Sequence, residues 1–181
     1  MCLGGHKAIK GAHYNRTDAY APMPTWTTIK QQLPLTSRHR LQLKAFDCVA
    51  ENLQADLKDP LYVHPLKGLI QDLGQDLNKT WKLNKAPYGW YPSGRIEFDK
   101  VSMWLHNYGF RTIGNSSTFM MLDSRNLPGD AGGKIRFNLY SDDGLESTNN
   151  SALWDSFMVD FKEEFNVLEK DLLYFLGCAI E

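Results

Sequence analysis

Two adjacent aspartates, Asp142 and Asp143, are the residues of this sequence whose type and spacing best suit chemistry. A carboxylate pair can bind a divalent metal ion or exchange protons with a substrate. The pair stands in Ser-Asp-Asp-Gly, a composition typical of a turn, because aspartates accept hydrogen bonds from the following amides and glycine tolerates positive φ. We interpret it as the turn between a strand and a helix. Because further oxygen ligands are lacking nearby, we predict no functional metal site there.

The sequence shows no other pattern that is typical of an enzyme. It contains no P-loop, no GxGxxG, no HExxH, no GxSxG and no paired histidine or cysteine spacing. His106 could join Asp123, Ser124, Arg125 or the aspartate pair in a hydrolytic site, but nothing in the sequence brings these residues together. We therefore expect no catalytic residues, no cofactor and no enzymatic activity.

Hydrophobic periodicity predicts the elements on either side of the aspartate pair. Ile135, Phe137 and Leu139 alternate with polar residues, which indicates a strand with one buried face. A helix should follow, with Asn150 or Ser151 as its N-cap. Its apolar stripe comprises Leu153, Trp154, Phe157 and Phe161.

The rest of the chain supplies a mixture of helices and strands. Residues 40–57 fit either a strand or a helix, and a helix is expected over 65–78. A Pro/Gly loop with three large aromatic residues should lead into a strand at Ile96 and Phe98. These aromatic side chains either form an exposed contact patch or pack beneath the loop. A short helix should follow over 101–108 and a strand in SSTFMML. The fold class is α+β: a compact single domain with a largely antiparallel sheet and helices packed against it.

Charge is distributed unevenly along the chain. Residues 1–44 carry seven basic residues and one acidic residue, a net charge of +6, whereas the whole chain has a net charge of −1. Residues 1–34 also lack a sustained apolar period, so we predict a flexible basic N-terminal arm there and a globular domain over 35–181. Such an arm favours an anionic partner; the alternative is an arm that only aids solubility or folds back on the acidic body.

Cysteine usage and hydropathy restrict the class of protein. The three cysteines are widely spaced and form no CxxC pair, which argues against a disulfide framework and a zinc site. The N-terminus lacks the apolar stretch of a secretory signal, and no run approaches the length of a membrane span. We expect a protein of the cytosolic side.

The order of these features resembles one family. A basic arm, the segment DAYAPMPT, an α+β body and the stretch GGKIRFNLYSDDGLESTNNSALWDSFMVDFKEE follow one another. This order is similar to that of the matrix proteins of rhabdoviruses, in which a late strand and an acidic turn precede a helix with a Trp-Asp-x-Phe core. That core is here Trp154, Asp155 and Phe157. The resemblance lies mainly in residues 133–164, and the PPxY and PTAP motifs that the family often carries do not occur.

The resemblance implies a viral matrix protein, which is structural and not an enzyme. It would bridge the inner face of the membrane and the ribonucleoprotein, self-associate, and drive virion assembly and budding. Its partners would be copies of itself, an anionic membrane surface and the viral nucleocapsid, without sequence-specific binding of nucleic acid. It would be located in the virion beneath the envelope, in host cytoplasm and at the inner face of host membranes. Membrane or nucleocapsid binding would fall to Lys7, Lys10, Arg16 and Lys30, and self-association to Tyr20, Pro22, Met23 and Pro24.

Two further hypotheses come from other classes of protein. The chain could be a soluble cytosolic adaptor or effector domain that binds a protein partner through its aromatic loop. It could also be a nucleic-acid-binding module, which the acidic body and the lack of basic and aromatic interleaving outside the arm disfavour.

Overall fold

The computed structural model describes residues 9, 11, 14–15, 17, 19–48, 55–64, 79–87, 89–127, 132–140, 143–170, 174–175 and 178–179. The chain divides into two compact units, one of Ala21–Leu53 with Phe98–Glu181 and another of Met1–Tyr20 with Gln54–Glu97. The described helices are α1 (Trp26–Arg38), α2 (Ser93–Tyr108) and α3 (Ser151–Glu164). The strands are β1 (Gln42–Cys48), β2 (Asp56–Val63), β3 (Trp81–Lys85), β4 (Arg111–Thr112), β5 (Phe119–Asp123), β6 (Lys134–Tyr140), β7 (Asp143–Thr148), β8 (Val167–Lys170), β9 (Tyr174–Phe175) and β10 (Cys178–Ala179).

A six-stranded antiparallel sheet forms the first unit, in the order β4-β5-β6-β7-β1-β8. Its last four strands contain two interleaved crossovers, because α2 lies in the chain between β1 and β6 and α3 lies between β7 and β8. This is the split β-α-β arrangement, in which a strand from one crossover pairs with a strand from the other. It brings the C-terminal end of β1 beside the β6–β7 hairpin.

Helices α2 and α3 cover one face of this sheet, because their apolar stripes share a single core with it. From α2 the core takes Phe98, Val101 and Leu105, at helical spacing, and from the sheet it takes Phe46 and Phe137. From α3 it takes Leu153, Trp154, Phe157, Met158 and Phe161. The two helices also contact each other through a hydrogen bond of 2.9 Å from the Tyr108 hydroxyl to Asp160.

Helix α1 lies on the opposite face. The Oγ1 of its N-cap, Thr25, accepts a hydrogen bond from the Thr28 amide. Ile29 packs with Leu145 in a small second cluster, and the Gln32 amide donates to the Leu145 carbonyl oxygen at 3.2 Å. Of the described elements, helix α1 is therefore the one that covers this face of the sheet, and it covers only part of it.

The second unit contains a two-stranded sheet, in which β2 pairs antiparallel with β3. The Ala86 amide donates to the Ala55 carbonyl oxygen at 2.9 Å, and both alanines are buried. Tyr14 and Tyr91 stack with their ring centroids 4.9 Å apart.

The predicted fold class is confirmed, since the described residues form an antiparallel sheet with helices packed against it. The strands in SSTFMML and over Ile135–Leu139 are confirmed as β5 and β6, and the apolar stripe of α3 is buried as predicted. Asn150 is the N-cap of α3, and its Oδ1 accepts from the Leu153 amide at 3.0 Å. Of the two alternatives for residues 40–57, the structure has a strand over Gln42–Cys48.

Three predictions about elements were wrong. Ile96 and Phe98 lie in α2 and not in a strand, because the spacing of Phe98, Val101 and Leu105 along a helix buries more apolar surface than the short alternation would. Asp143 begins strand β7 and does not lie in a turn before a helix, because β7 precedes α3, whereas Asp142 lies outside the described residues.

The third concerns residues 26–34, which we placed in a flexible arm and which belong to the packed helix α1. Helix packing on the sheet offsets their polar composition, because Ile29 and Gln32 are both buried. The helix expected over 65–78 lies outside the described residues.

Candidate active site

Asp47 and Asp143 lie directly opposite each other where β1 and β7 end together. Side chains alternate along a strand, and their neighbours Phe46 and Gly144 belong to the face that α2 and α3 cover. Both carboxylates therefore project from the other face. Each is about one-third exposed, at 33% for Asp47 and 31% for Asp143. The pairing of two distant segments thus builds a carboxylate pair that solvent can reach.

Lys170, at the end of β8, bridges the two carboxylates. Its Nζ lies 2.9 Å from Oδ1 of Asp47 and 3.1 Å from Oδ1 of Asp143. Lys170 is in register with Ala45 of β1, which puts its side chain on the same face as the aspartates. The two carboxylates consequently converge on one cation.

The electrostatics of this trio reflect its partial burial. Burial raises the pKa of the Asp143 carboxyl, Lys170 opposes this rise, and the adjacent Asp47 carboxylate adds to it. Burial alone would lower the pKa of Lys170, but hydrogen bonds with Asp47 and Asp143 outweigh it, so that the pKa is raised. The carboxylate pair therefore stabilises positive charge between its members.

Gly144 determines how closely β7 approaches β1 next to the site. A Cβ at this residue would overlap the ring of Phe46 and the Oε1 of Glu146. Only a residue without a side chain lets the Phe46 ring pack here, and Phe46 is itself fully buried between Phe137 and Phe161. The aromatic core thus fixes the position of the strand that begins with Asp143.

Glu146 lies on the covered face of β7 and is fully buried. Neither of its carboxylate oxygens has a hydrogen-bond partner among the described residues. Burial first, and then repulsion from Asp143, raises the pKa of Glu146 well above its ordinary value of 4.5. The surroundings of Glu146 therefore favour the neutral form of its carboxyl group.

Helix α1 limits the exposed part of the sheet face on which the aspartates lie. Asn138, Leu145 and Ser147 are completely buried, and the Asn138 amide donates to the Gln32 Oε1. Tyr140, which is in register with Asp143, is only half-buried. A substrate that reaches this face can thus contact the row of residues at the end of the sheet, but not the rows beneath α1.

In the structure, two residues of the hydrolytic site that we considered, Asp123 and His106, contact other groups. Asp123 binds Arg125 at 2.6 Å and Lys134 at 3.2 Å, and the first of these contacts holds the pKa of Asp123 well below its usual range. His106 Nδ1 instead lies 2.7 Å from the Ser102 carbonyl oxygen. These contacts give no support to a hydrolytic site.

The predicted membrane and self-association residues are described only in part. Lys30 is exposed on α1, whereas Lys7, Lys10 and Arg16 lie outside the described residues. Tyr20 and Met23 are exposed, Pro22 is half-buried and Pro24 is buried. Nothing in the fold tests their predicted roles, which stay predictions.

Sequence reasoning singled out Asp143 but missed Asp47 and Lys170. Asp47 lies in a segment whose sequence fits a helix as well as a strand, and Lys170 lies in a short polar strand. Within the described parts of the chain, no group of three or more histidine, cysteine, aspartate or glutamate side chains is arranged to hold a metal ion. In the same parts, no helix has the length and apolarity needed to cross a membrane.

Comparison with protein families gave a match over the whole chain. The model of the family described as "Reverse transcriptase (RNA-dependent DNA polymerase)" matches residues 1–181. Comparison with curated proteins and with solved structures gave no match.

This match overturns the resemblance to rhabdovirus matrix proteins, which covered mainly residues 133–164. A strand, an acidic turn and an aromatic helix are generic elements, and here they form part of a different arrangement. The predictions of a structural matrix protein, of budding and of a protein that is not an enzyme were therefore wrong, since the matched family is one of polymerases. The adaptor alternative has no support either.

Proposed function

This chain belongs to the reverse transcriptase (RNA-dependent DNA polymerase) family, and from that premise we propose that Asp47 and Asp143 form the metal-binding centre of a nucleotidyl-transfer site. The observation that carries the proposal is their direct register across β1 and β7, on the sheet face away from α2 and α3. The reaction would join the 3′-hydroxyl of a primer to the α-phosphate of a deoxynucleoside triphosphate, with release of pyrophosphate. This proposal replaces our expectation that the aspartate pair binds no functional metal ion.

The residues present fit a magnesium ion. Mg²⁺ prefers hard oxygen ligands and is typically held by one or two carboxylates, with water and substrate phosphates completing its shell. Two carboxylate oxygens already converge here on one cation, the ammonium of Lys170. In the sequence, another carboxylate residue, Asp142, directly precedes Asp143. When bound, divalent ions would polarise the phosphoryl oxygens and stabilise the attacking and leaving oxygens of the displacement.

The chain's own residues would contribute position and access. Asp47 and Asp143 come from two paired strands, so their separation is fixed by hydrogen bonds of the sheet and not by a loop. The Phe46 ring against Gly144 holds this pairing from the core side. Because the carboxylates are one-third exposed, a triphosphate and a primer end can reach them from solvent.

Primer extension on an RNA template tests the proposal. We expect the full chain to extend a DNA primer in the presence of Mg²⁺ or Mn²⁺, and Asp47→Asn or Asp143→Asn to reduce the rate by about 100-fold or more. Asp155→Asn is the matched control, because Asp155 is an exposed aspartate on α3, away from the carboxylate pair.

Two results would contradict the proposal. One is an extension rate that Asp47→Asn and Asp143→Asn leave unchanged in an active preparation. The other is an equal loss of activity in all three asparagine variants, which would mean that the site does not depend on this carboxylate pair. Circular dichroism of each variant verifies that the loss is not a loss of folding.

A further inference from the structure

Lys170 occupies the place of a cation at the candidate metal centre. Its Nζ contacts Oδ1 of both Asp47 and Asp143, the same oxygens that face a common point between the strands. Directly opposed like charges destabilise a strand pair. The ammonium therefore compensates a repulsion that the register of β1 and β7 would otherwise impose.

Charge balance makes Lys170 and a divalent ion competitors. Two ionised carboxylates carry two negative charges, of which Lys170 neutralises one. A divalent ion neutralises both, and an ammonium that remained at the same oxygens would then be repelled by the ion. Both cations are also attracted to the same two Oδ1 atoms, so a bound divalent ion disfavours the ammonium at this position.

The ammonium group of Lys170 can move away from the two carboxylates without disrupting the sheet. Its side chain is 46% exposed, and β8 is an edge strand that pairs only with β1 among the described strands. The long lysine side chain has several rotatable bonds, so its ammonium can move into solvent while the backbone of β8 stays paired.

We propose that Lys170 is an internal counter-ion that holds the carboxylate pair together in the metal-free protein and is displaced when a divalent ion binds. It is a positioning residue, and metal binding is an exchange of one cation for another. The inference rests on the proposed metal-binding role of Asp47 and Asp143. It adds that the affinity for metal is set partly by a residue that is not itself a ligand.

Manganese binding to the full chain, without nucleotide or nucleic acid, tests this exchange at one fixed pH and salt concentration. The free Mn²⁺ signal in electron paramagnetic resonance gives the dissociation constant directly. Lys170→Met removes the competitor and should tighten Mn²⁺ binding by about threefold to thirtyfold, the range that two partly exposed ion pairs allow. Lys170→Arg keeps the positive charge and should leave binding weak.

Lys162→Met is the matched control. The side chain of Lys162 is 44% exposed and forms an ion pair at 2.5 Å with Glu169. Glu169 is the residue of β8 directly before Lys170. It does not contact Asp47 or Asp143, so its removal should leave the Mn²⁺ dissociation constant unchanged. The melting temperature without metal should fall in Lys170→Met, and saturating Mn²⁺ should restore it.

The outcomes separate the inference from the function on which it rests. If Asp143→Asn abolishes Mn²⁺ binding while Lys170→Met leaves it as in the wild type, the metal centre stands and the counter-ion role is wrong. If Asp47→Asn and Asp143→Asn both bind Mn²⁺ as the wild type does, the proposed centre itself is wrong. Tighter binding in Lys170→Met and in Lys162→Met alike would also contradict a specific role for Lys170.

Discussion

Phe46 and Gly144 are direct partners across β1 and β7, and the ring of Phe46 fills the space that a side chain at residue 144 would need. Gly144→Ala must therefore displace a fully buried aromatic ring or open the strand pair. We expect it to lower the free energy of unfolding by about 1–3 kcal/mol, the usual cost of overpacking a core. Urea denaturation measures this change.

A double variant verifies the cause. Phe46→Leu should be destabilising alone, but Gly144→Ala should cost less in the Phe46→Leu background than in the wild type, because the smaller side chain leaves room for the Cβ. Strictly additive changes would mean that the two residues do not interact.

Glu146 predicts an unusual dependence of stability on pH. Its carboxyl pKa is raised in the folded protein, by burial first and then by Asp143, so the folded state binds the proton more tightly than the unfolded state does. The free energy of unfolding should thus be unaffected by Glu146 below the ordinary pKa of 4.5 and should decrease as pH rises from there to the raised folded pKa.

Glu146→Gln tests this sign, because glutamine keeps the shape and has no proton to lose. The variant should gain stability relative to the wild type by up to about 1.4 kcal/mol per pH unit across that window. Urea denaturation at several pH values measures it. Glu163→Gln, at an exposed residue of α3, should retain the wild-type pH dependence. Parallel curves for the wild type and Glu146→Gln would contradict a neutral buried carboxyl.

Trp154 anchors α3 to the sheet. It is 1% exposed and packs against Phe157, with ring centroids 5.7 Å apart. Trp154→Ala should lower the free energy of unfolding by about 3–5 kcal/mol, because a large cavity remains in a close-packed core. Val159→Ala on the same helix, at a residue that is 60% exposed, should change thermal stability little. Equal melting temperatures for the wild type and Trp154→Ala would show that the core does not depend on this ring.

Gln32 joins α1 to the sheet through a buried polar contact. Its amide nitrogen donates to the Leu145 carbonyl oxygen at 3.2 Å, and its Oε1 accepts from Asn138. Gln32→Ala should cost about 1–3 kcal/mol, because the buried Asn138 amide loses its acceptor. Hydrogen exchange of the α1 amides should become faster in this variant than in Gln31→Ala, which alters an exposed residue. Unchanged exchange would mean that α1 is held by its apolar contacts alone.

Elements with large periodic apolar residues were predictable from the sequence. Phe137 and its alternating neighbours determine β6, and the stripe through Trp154 and Phe157 determines α3. Strand β7 escaped prediction because it buries Glu146, Ser147 and Thr148, residue types that usually indicate a solvated segment. Its burial comes from its central place between β6 and β1, which local patterning does not record.

The candidate site was even harder to predict from the sequence than the helices and strands. Asp143 stood out only as half of a turn, and its true partner Asp47 comes from a strand far away in the sequence. What joins them is a long-range register, which no spacing along the chain expresses. The matrix resemblance failed for the same reason: it compared consecutive elements, whereas the proposed function depends on which strands lie side by side.

The antiparallel register of β1 and β7 makes the candidate site sensitive to whether an odd or an even number of residues is lost from β1. Because successive side chains of a strand point to opposite faces, the loss of one residue between Gln42 and Phe46 would turn Asp47 toward α2 and α3, and would turn Phe46 toward the face that α1 covers in part. The loss of two would restore the faces but shift the carboxylate along the strand by roughly 7 Å, beyond the reach of a shared ion. Even a single-residue deletion in β1 would therefore be incompatible with two carboxylates that meet at one cation.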